Sequence, residues 1–205
     1  MKFKAFAVID TNVIVSSIIS ENGCPAQVLG LIGKGNIIPI FDKRMLDEYY
    51  DVLNRKEKYD FSEQVIYETL YTIVNNGILI NDVEQVKIKL KDAKDIPFFE
   101  VKESSKEFGS YLVTGNIKHF VVPDQLNSLD HTVTPEAMIS IMAECEIMLG
   151  IFEKQFNYDT GYHQSVDNKI KQHLATSKYI SGKELINKIF DSNAQTVKKS
   201  FWEKD

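Results

Sequence analysis

Short runs of β-branched and aromatic residues alternate with amphipathic helical stripes along the first 150 residues, which leaves few architectures open. Residues 6–9, 37–41, 78–80 and 111–114 read as strands, with Pro39 suited to an edge. Residues 86–90 alternate apolar positions with lysine and read as a further strand, and Val133 as part of a last one. Between them lie helical stripes: Val28, Leu29 and Ile32 after Pro25; Met45, Leu46, Tyr49, Val52 and Leu53; and Ile66, Leu70 and Ile73 after a Ser62 cap. A helix is expected from Asp95 to about Glu107, and another from Pro135 to Gly150. Such alternation predicts an α/β fold with a mostly parallel sheet and helices on both faces.

The remaining 55 residues differ. Residues 156–168, FNYDTGYHQSVDN, read as a polar loop, and Ile170 and Leu174, then Leu185, Ile186, Ile189 and Phe190, mark two helices. Ser181 and Glu184 stand at capping-box spacing before the second. The expected organisation is one α/β domain over residues 1–150 and a helical C-terminal extension over 151–205.

With 205 residues, 43% of them hydrophobic, the chain is long enough for one sizeable core. No apolar run is long enough to span a bilayer, and no signal-peptide pattern is visible, so a cytoplasmic location is expected. Cys24 and Cys145 sit in no metal-ligand spacing, and no histidine pairs with a cysteine at zinc-site spacing, so a bound metal must take oxygen ligands. A net charge of −5 provides no long-range attraction for nucleic acid.

The first strand ends in an oddity. FAVIDTNVI places Asp10 and Asn12 where the flanking residues call for complete burial. A carboxylate there is costly unless a cation or a set of donors compensates it. In an α/β sheet, ligands collect at the carboxyl ends of strands. Glu48 in LDEYYDVLNR, Asp92 and Asp95 in KDAKDIPFF, and Asn116 after LVTG are further oxygen donors placed to converge there. Such a set suits a magnesium-like ion, held by a few carboxylates with positions left for phosphate. Singly, each has an ordinary explanation: a cap for Asp10 or Asp95, an exposed helix acid for Glu48, a turn residue for Asn116.

VIDTNVIVSSI, EYYDVLNR, KDAKDIPFF, YLVTGNIKHF and TVTPEAM, in this order over residues 4–145, resemble PIN-domain proteins, and more narrowly the PIN-family toxins of bacterial toxin–antitoxin pairs. The resemblance implies a three-layer α/β/α sandwich and a ribonuclease dependent on Mg2+ or Mn2+. Carried over, Asp10, Glu48 and Asp95 are the catalytic, metal-holding acids and Asp92 an accessory acid. Asn116 stands where the family's usual fourth acid falls, which removes a charge and weakens a second metal site. Lys118 and His119 are placed to contact RNA phosphates, with Arg55 and Lys56 a second basic patch. Asn12, Thr11 and Thr114 are placed to bond substrate or site carboxylates. The implied partners are RNA and a neutralising antitoxin protein, and the C-terminal helices could build a homodimer.

Two other readings compete. A PIN-like scaffold without activity would serve as an RNA- or protein-binding module. A haloacid-dehalogenase-type phosphatase also begins with a strand ending in aspartate, but wants a second aspartate where this chain has Asn12.

Overall fold

The computed structural model describes residues 3–122, 129–156 and 161–191. Six strands form one sheet: β1 (Ala5–Ile9), β2 (Ile37–Phe41), β3 (Ile78–Ile80), β4 (Tyr111–Val113), β5 (Thr132–Val133) and β6 (Tyr179–Ser181). Their order is β5-β4-β1-β2-β3-β6, parallel throughout except for β6, which runs antiparallel to β3. The chain moves outward from β1 to β3, then returns to β4 on the other side of β1. The carboxyl ends of β1 and β4 therefore flank the point where strand order reverses, the usual location of a site in such a sheet. β1 is buried at every residue, as expected for a central strand covered on both faces.

Helices flank the sheet as the three-layer α/β/α expectation requires. Helices α1 (Thr11–Ile19) and α2 (Cys24–Gly33) link β1 to β2, and α3 (Lys43–Leu53) and α4 (Glu63–Asn75) link β2 to β3. Helix α5 (Ile96–Ser104) lies across β1, β2 and β4, and α2 packs against α4 and α6 (Pro135–Phe156). Local signals place these ends. Ser62 accepts from Val65 N at 3.3 Å, Asp42 from Met45 N at 2.9 Å, and Gly109 closes the segment after α5 at φ 66°. Phe41, Tyr49 and Phe98 are among the largest wholly buried side chains, and the last two rings stand 6.1 Å apart beneath the site.

Several expectations are corrected. Pro39 lies in an interior strand; the ladder to β3 begins only at Ile40, one residue beyond it. Residues 86–90 are not a strand: β6 occupies the outer edge of β3, and the backbone here turns to side chains of α5. Val86 N donates to Glu100 and Glu84 N to Ser104. The helix expected from Asp95 to Glu107 is α5 between two short 3-10 turns, Ala93–Asp95 and Lys106–Phe108. Gly150 does not end α6, which runs on to Phe156 through the boundary set at residue 150. A glycine costs a helix about 1 kcal/mol, which its Met, Leu, Ile and Glu neighbours outweigh.

The C-terminal segment holds helices α7 (Tyr162–Leu174) and α8 (Gly182–Asp191), and Glu184 N donates to Ser181 Oγ at 3.2 Å as its spacing suggested. Two features there differ from the expectation: α7 begins within residues 156–168, whose polar sequence reads as a loop, and β6 extends the sheet. Residues 157–160 and the side chains of Ile189 and Phe190 lie outside what is described. No helix among the described residues is long and apolar enough to cross a membrane.

Candidate functional site

Asp10 ends β1 and caps α1, and its backbone N donates to Val113 O at 2.9 Å, tying the ends of β1 and β4 together. Its side chain is 5% exposed and surrounded by neutral donors. Asn12 N reaches Oδ1 at 3.3 Å, while Asn12 Nδ2 and Thr114 Oγ1 donate to Oδ2 at 2.5 and 2.6 Å. Asn12 Oδ1 in turn accepts from Gly115 N at 3.0 Å, and Thr114 Oγ1 accepts from Asn116 N at 2.9 Å. Asn12 and Thr114 thus clamp Asp10 from the two strand ends. Burial still holds the Asp10 carboxyl above its ordinary pKa, against the pull of these hydrogen bonds and of His119.

Glu48 projects from the middle of α3, half-buried beside Tyr49, and accepts from Thr11 Oγ1 at 2.8 Å through Oε1. Its carboxyl is pushed up first by burial and then by the charges of Asp10 and Asp95. Tyr49 donates its hydroxyl to Ile9 O, fixing α3 against the end of β1. Asp95, just before α5, pairs with His119 through Oδ2 and Nδ1 at 3.1 Å. Burial, and next the charge of Asp10, raise the Asp95 carboxyl to about 6. Three acids from distant parts of the chain therefore share one electrostatic neighbourhood, and each of the other two feels Asp10.

The remaining expected residues are placed less centrally. Asp92 is exposed and caps the 3-10 turn before α5, accepting from Lys94 N at 3.0 Å; its charge adds to the upward push on Asp95. Asn116 and Lys118 are exposed beside the clamp, whereas His119 is engaged with Asp95 rather than turned wholly to solvent. Arg55 and Lys56 follow α3, two turns beyond Glu48.

Sequence reading passed over Asp42, at the carboxyl end of β2. The signal was the one that drew notice to Asp10, an acid closing an apolar strand. Asp42 spends its carboxylate on capping α3 and on Arg44, at 2.6 Å from Nε.

The donor set is entirely oxygen and short of positive charge, which suits a hard divalent cation. Asp10, Glu48 and Asp95 would hold it, with the Asn116 carbonyl nearby. Among the described residues no three His, Cys, Asp or Glu side chains are drawn together at ligating positions. The carboxylates repel one another, and Asp10 already has its oxygens bonded to Asn12 and Thr114. The fit is thus one of donor type and charge.

These shifts have a consequence for stability. A carboxyl whose pKa rises from 3.8 to about 6 on folding binds protons more tightly in the native state. The stability it confers is complete below its unfolded pKa and is lost as pH rises through about 6; Asp10 and Glu48 shift in the same direction. Without added divalent ions, the Asp95→Asn protein is expected to melt higher than wild type at about pH 7.5, with the gap closing toward pH 4. Thermal melts across that range check it; a variant that melts lower at neutral pH would contradict the cost assigned to the charged Asp95 carboxylate.

A mostly parallel sheet flanked by helices on both faces, with Asp10 at the point where its strand order reverses, defines a protein of the α/β class. The chain belongs to the PIN-domain family: a family model described as PIN domain matches residues 7–118. That span includes Asp10, Asn12, Glu48, Asp92, Asp95, Thr114, Asn116 and Lys118, and stops one residue before His119. The chain is also similar to Uncharacterized protein MJ1680 of Methanocaldococcus jannaschii, 31% identical over 117 residues that cover 56% of this chain and 73% of the relative. No solved structure matches.

Proposed function

We propose that the protein is an endoribonuclease that hydrolyses RNA phosphodiester bonds with the help of Mg2+ or Mn2+. The observation that carries this reading is the placement of Asp10, Glu48 and Asp95, each held by its own hydrogen-bond partners and the last two both feeling the charge of Asp10, at the switch point of a PIN-domain sheet. A divalent cation bound there supplies positive charge to a phosphodiester and makes water more acidic.

The chain's own groups have separable tasks. The Asn12–Thr114 clamp fixes Asp10 in one orientation, and Thr11 does the same for Glu48. His119 holds Oδ2 of Asp95, leaving Oδ1 to accept a proton from the attacking water. Lys118, exposed beside Asn116, offers a cation to the RNA backbone. An RNA phosphate is repelled by these acids alone, so productive binding requires the divalent ion.

By the same reading the protein is the toxin of a toxin–antitoxin pair acting in the cytoplasm, held in check by an antitoxin that reaches the acid site. The family match and the sequence motifs support that context. The expected result is internal cleavage of single-stranded RNA by the full chain with Mn2+, lost on adding excess EDTA and regained on restoring Mn2+. The neutral, exposed Asn116 favours a second reading, a PIN-like RNA-binding module without turnover. RNA retention with no metal-dependent cleavage would select it.

A further inference from the structure

The exposed Arg44 and the buried Glu100 form an ion pair that stands outside the tasks assigned above. Glu100 is 3% exposed, and its Oε2 accepts from Arg44 Nη1 at 2.6 Å while Oε1 accepts from Val86 N at 2.9 Å. Arg44 Nε simultaneously donates to Asp42 Oδ2 at 2.6 Å, and Asp42 Oδ1 caps α3 through Met45 N. One guanidinium therefore joins the end of β2, the first turn of α3 and the interior of α5.

The spacing along these helices gives the bridge its meaning. Glu48 follows Arg44 by four residues, one turn along the same face of α3. Glu100 follows Asp95 by five, just over one turn into α5. The bridge thus joins α3, which carries Glu48 one turn on, to α5, whose N-cap is Asp95, just over one turn before Glu100. Those two acids repel each other, so the helices that carry them need a restraint of defined length.

Packing alone could hold α3 on α5 without burying a carboxylate, a burial that costs several kcal/mol. A planar guanidinium fork shared between two carboxylates adds what apolar packing lacks, a fixed distance and orientation. We propose that Arg44 is a positioning residue: the Asp42–Arg44–Glu100 bridge sets the separation of Glu48 and Asp95, and through it the affinity of the acid site for a divalent cation.

This rests on the cation site proposed above, and the test separates the two. Mn2+ binding to the full chain is measured by calorimetry, and folding by thermal melts, for wild type, Arg44→Met/Glu100→Gln, Arg44→Lys and Asp10→Asn. The double variant removes both charges at nearly constant volume and keeps an acceptor for Val86 N, so it is expected to melt close to wild type. Its Mn2+ affinity is expected to fall about tenfold or more, the usual cost of losing a group that orients ligands. Arg44→Lys keeps the charge but cannot span two carboxylates, and is expected to fall in between. Wild-type affinity in both Arg44 variants, alongside lost binding in Asp10→Asn, overturns the bridge and leaves the cation site standing. Absence of Mn2+ binding in wild type overturns the cation site and the bridge with it.

Discussion

Asp10→Asn is expected to fold as wild type does and to lose RNA cleavage by about 100-fold or more, the scale of removing one group that stabilises developing charge. Asparagine caps a helix as well as aspartate does, so α1 keeps its start. The amide oxygen still accepts from Asn12 N and the Thr114 hydroxyl can turn to accept where it formerly donated, while the Asn12 side chain gives up its bond to Oδ2 and shifts away from the new NH2. Removing a carboxylate that burial holds above its normal pKa relieves a cost, so the melting temperature should hold or rise. What the variant lacks is the charge at the centre of the acid site, the one felt by both Glu48 and Asp95. Initial cleavage rates with Mn2+, read beside circular-dichroism melts, separate the two effects. Wild-type turnover in the folded variant would remove Asp10 from the chemistry.

Gly182→Ala is expected to act on stability and leave the acid site intact. Gly182 opens α8 directly after β6 and donates its backbone N to Gly77 O at 2.8 Å. A Cβ there would stand 1.5 Å from Val74 O and 2.7 Å from Val74 C, against backbone that has no side-chain freedom with which to yield. The segment must pull away from α4, at the expense of the β3–β6 ladder from Ile78↔Ser181 to Ile80↔Tyr179 and of the buried Tyr179 and Leu185. A loss of about 3 kcal/mol in urea unfolding is expected, at the upper end for overpacking. Faster tryptic cutting at Lys183 and Lys188 should accompany it. β6 is separated from β1 by β3 and β2, so Mn2+ binding should change little. Unaltered unfolding would show that the C-terminal segment is not docked as described.

The parts of this structure that were legible in the sequence are those fixed by neighbours in the chain. Apolar runs bounded by turns marked β1, β2, β3 and β4, and Ser62 and Ser181 announced the helices they cap. Asp10 could be singled out because a charge at the end of a buried strand breaks the local pattern. Glu48 was less legible, since nothing nearby distinguishes it from an ordinary helix acid; it gains its place through Thr11, 37 residues earlier. Residues 86–90 misled because alternation reports a two-sided environment and not a strand partner, and here α5 side chains took the backbone bonds. β6 is three residues long, too short to show a period. Arg44 and Glu100 were invisible because 56 residues separate them and each alone reads as a surface charge. Long-range polar pairing decides such positions, and one sequence does not display it.

The central claim is that Asp10, Glu48 and Asp95 hold a divalent cation between them, and a crystal grown with Mn2+ and analysed by anomalous diffraction tests it most directly. A manganese peak coordinated by oxygens of these three side chains, with the Asp10 clamp from Asn12 and Thr114 retained, is the predicted result. Manganese bound elsewhere while the three carboxylates stay apart would contradict it.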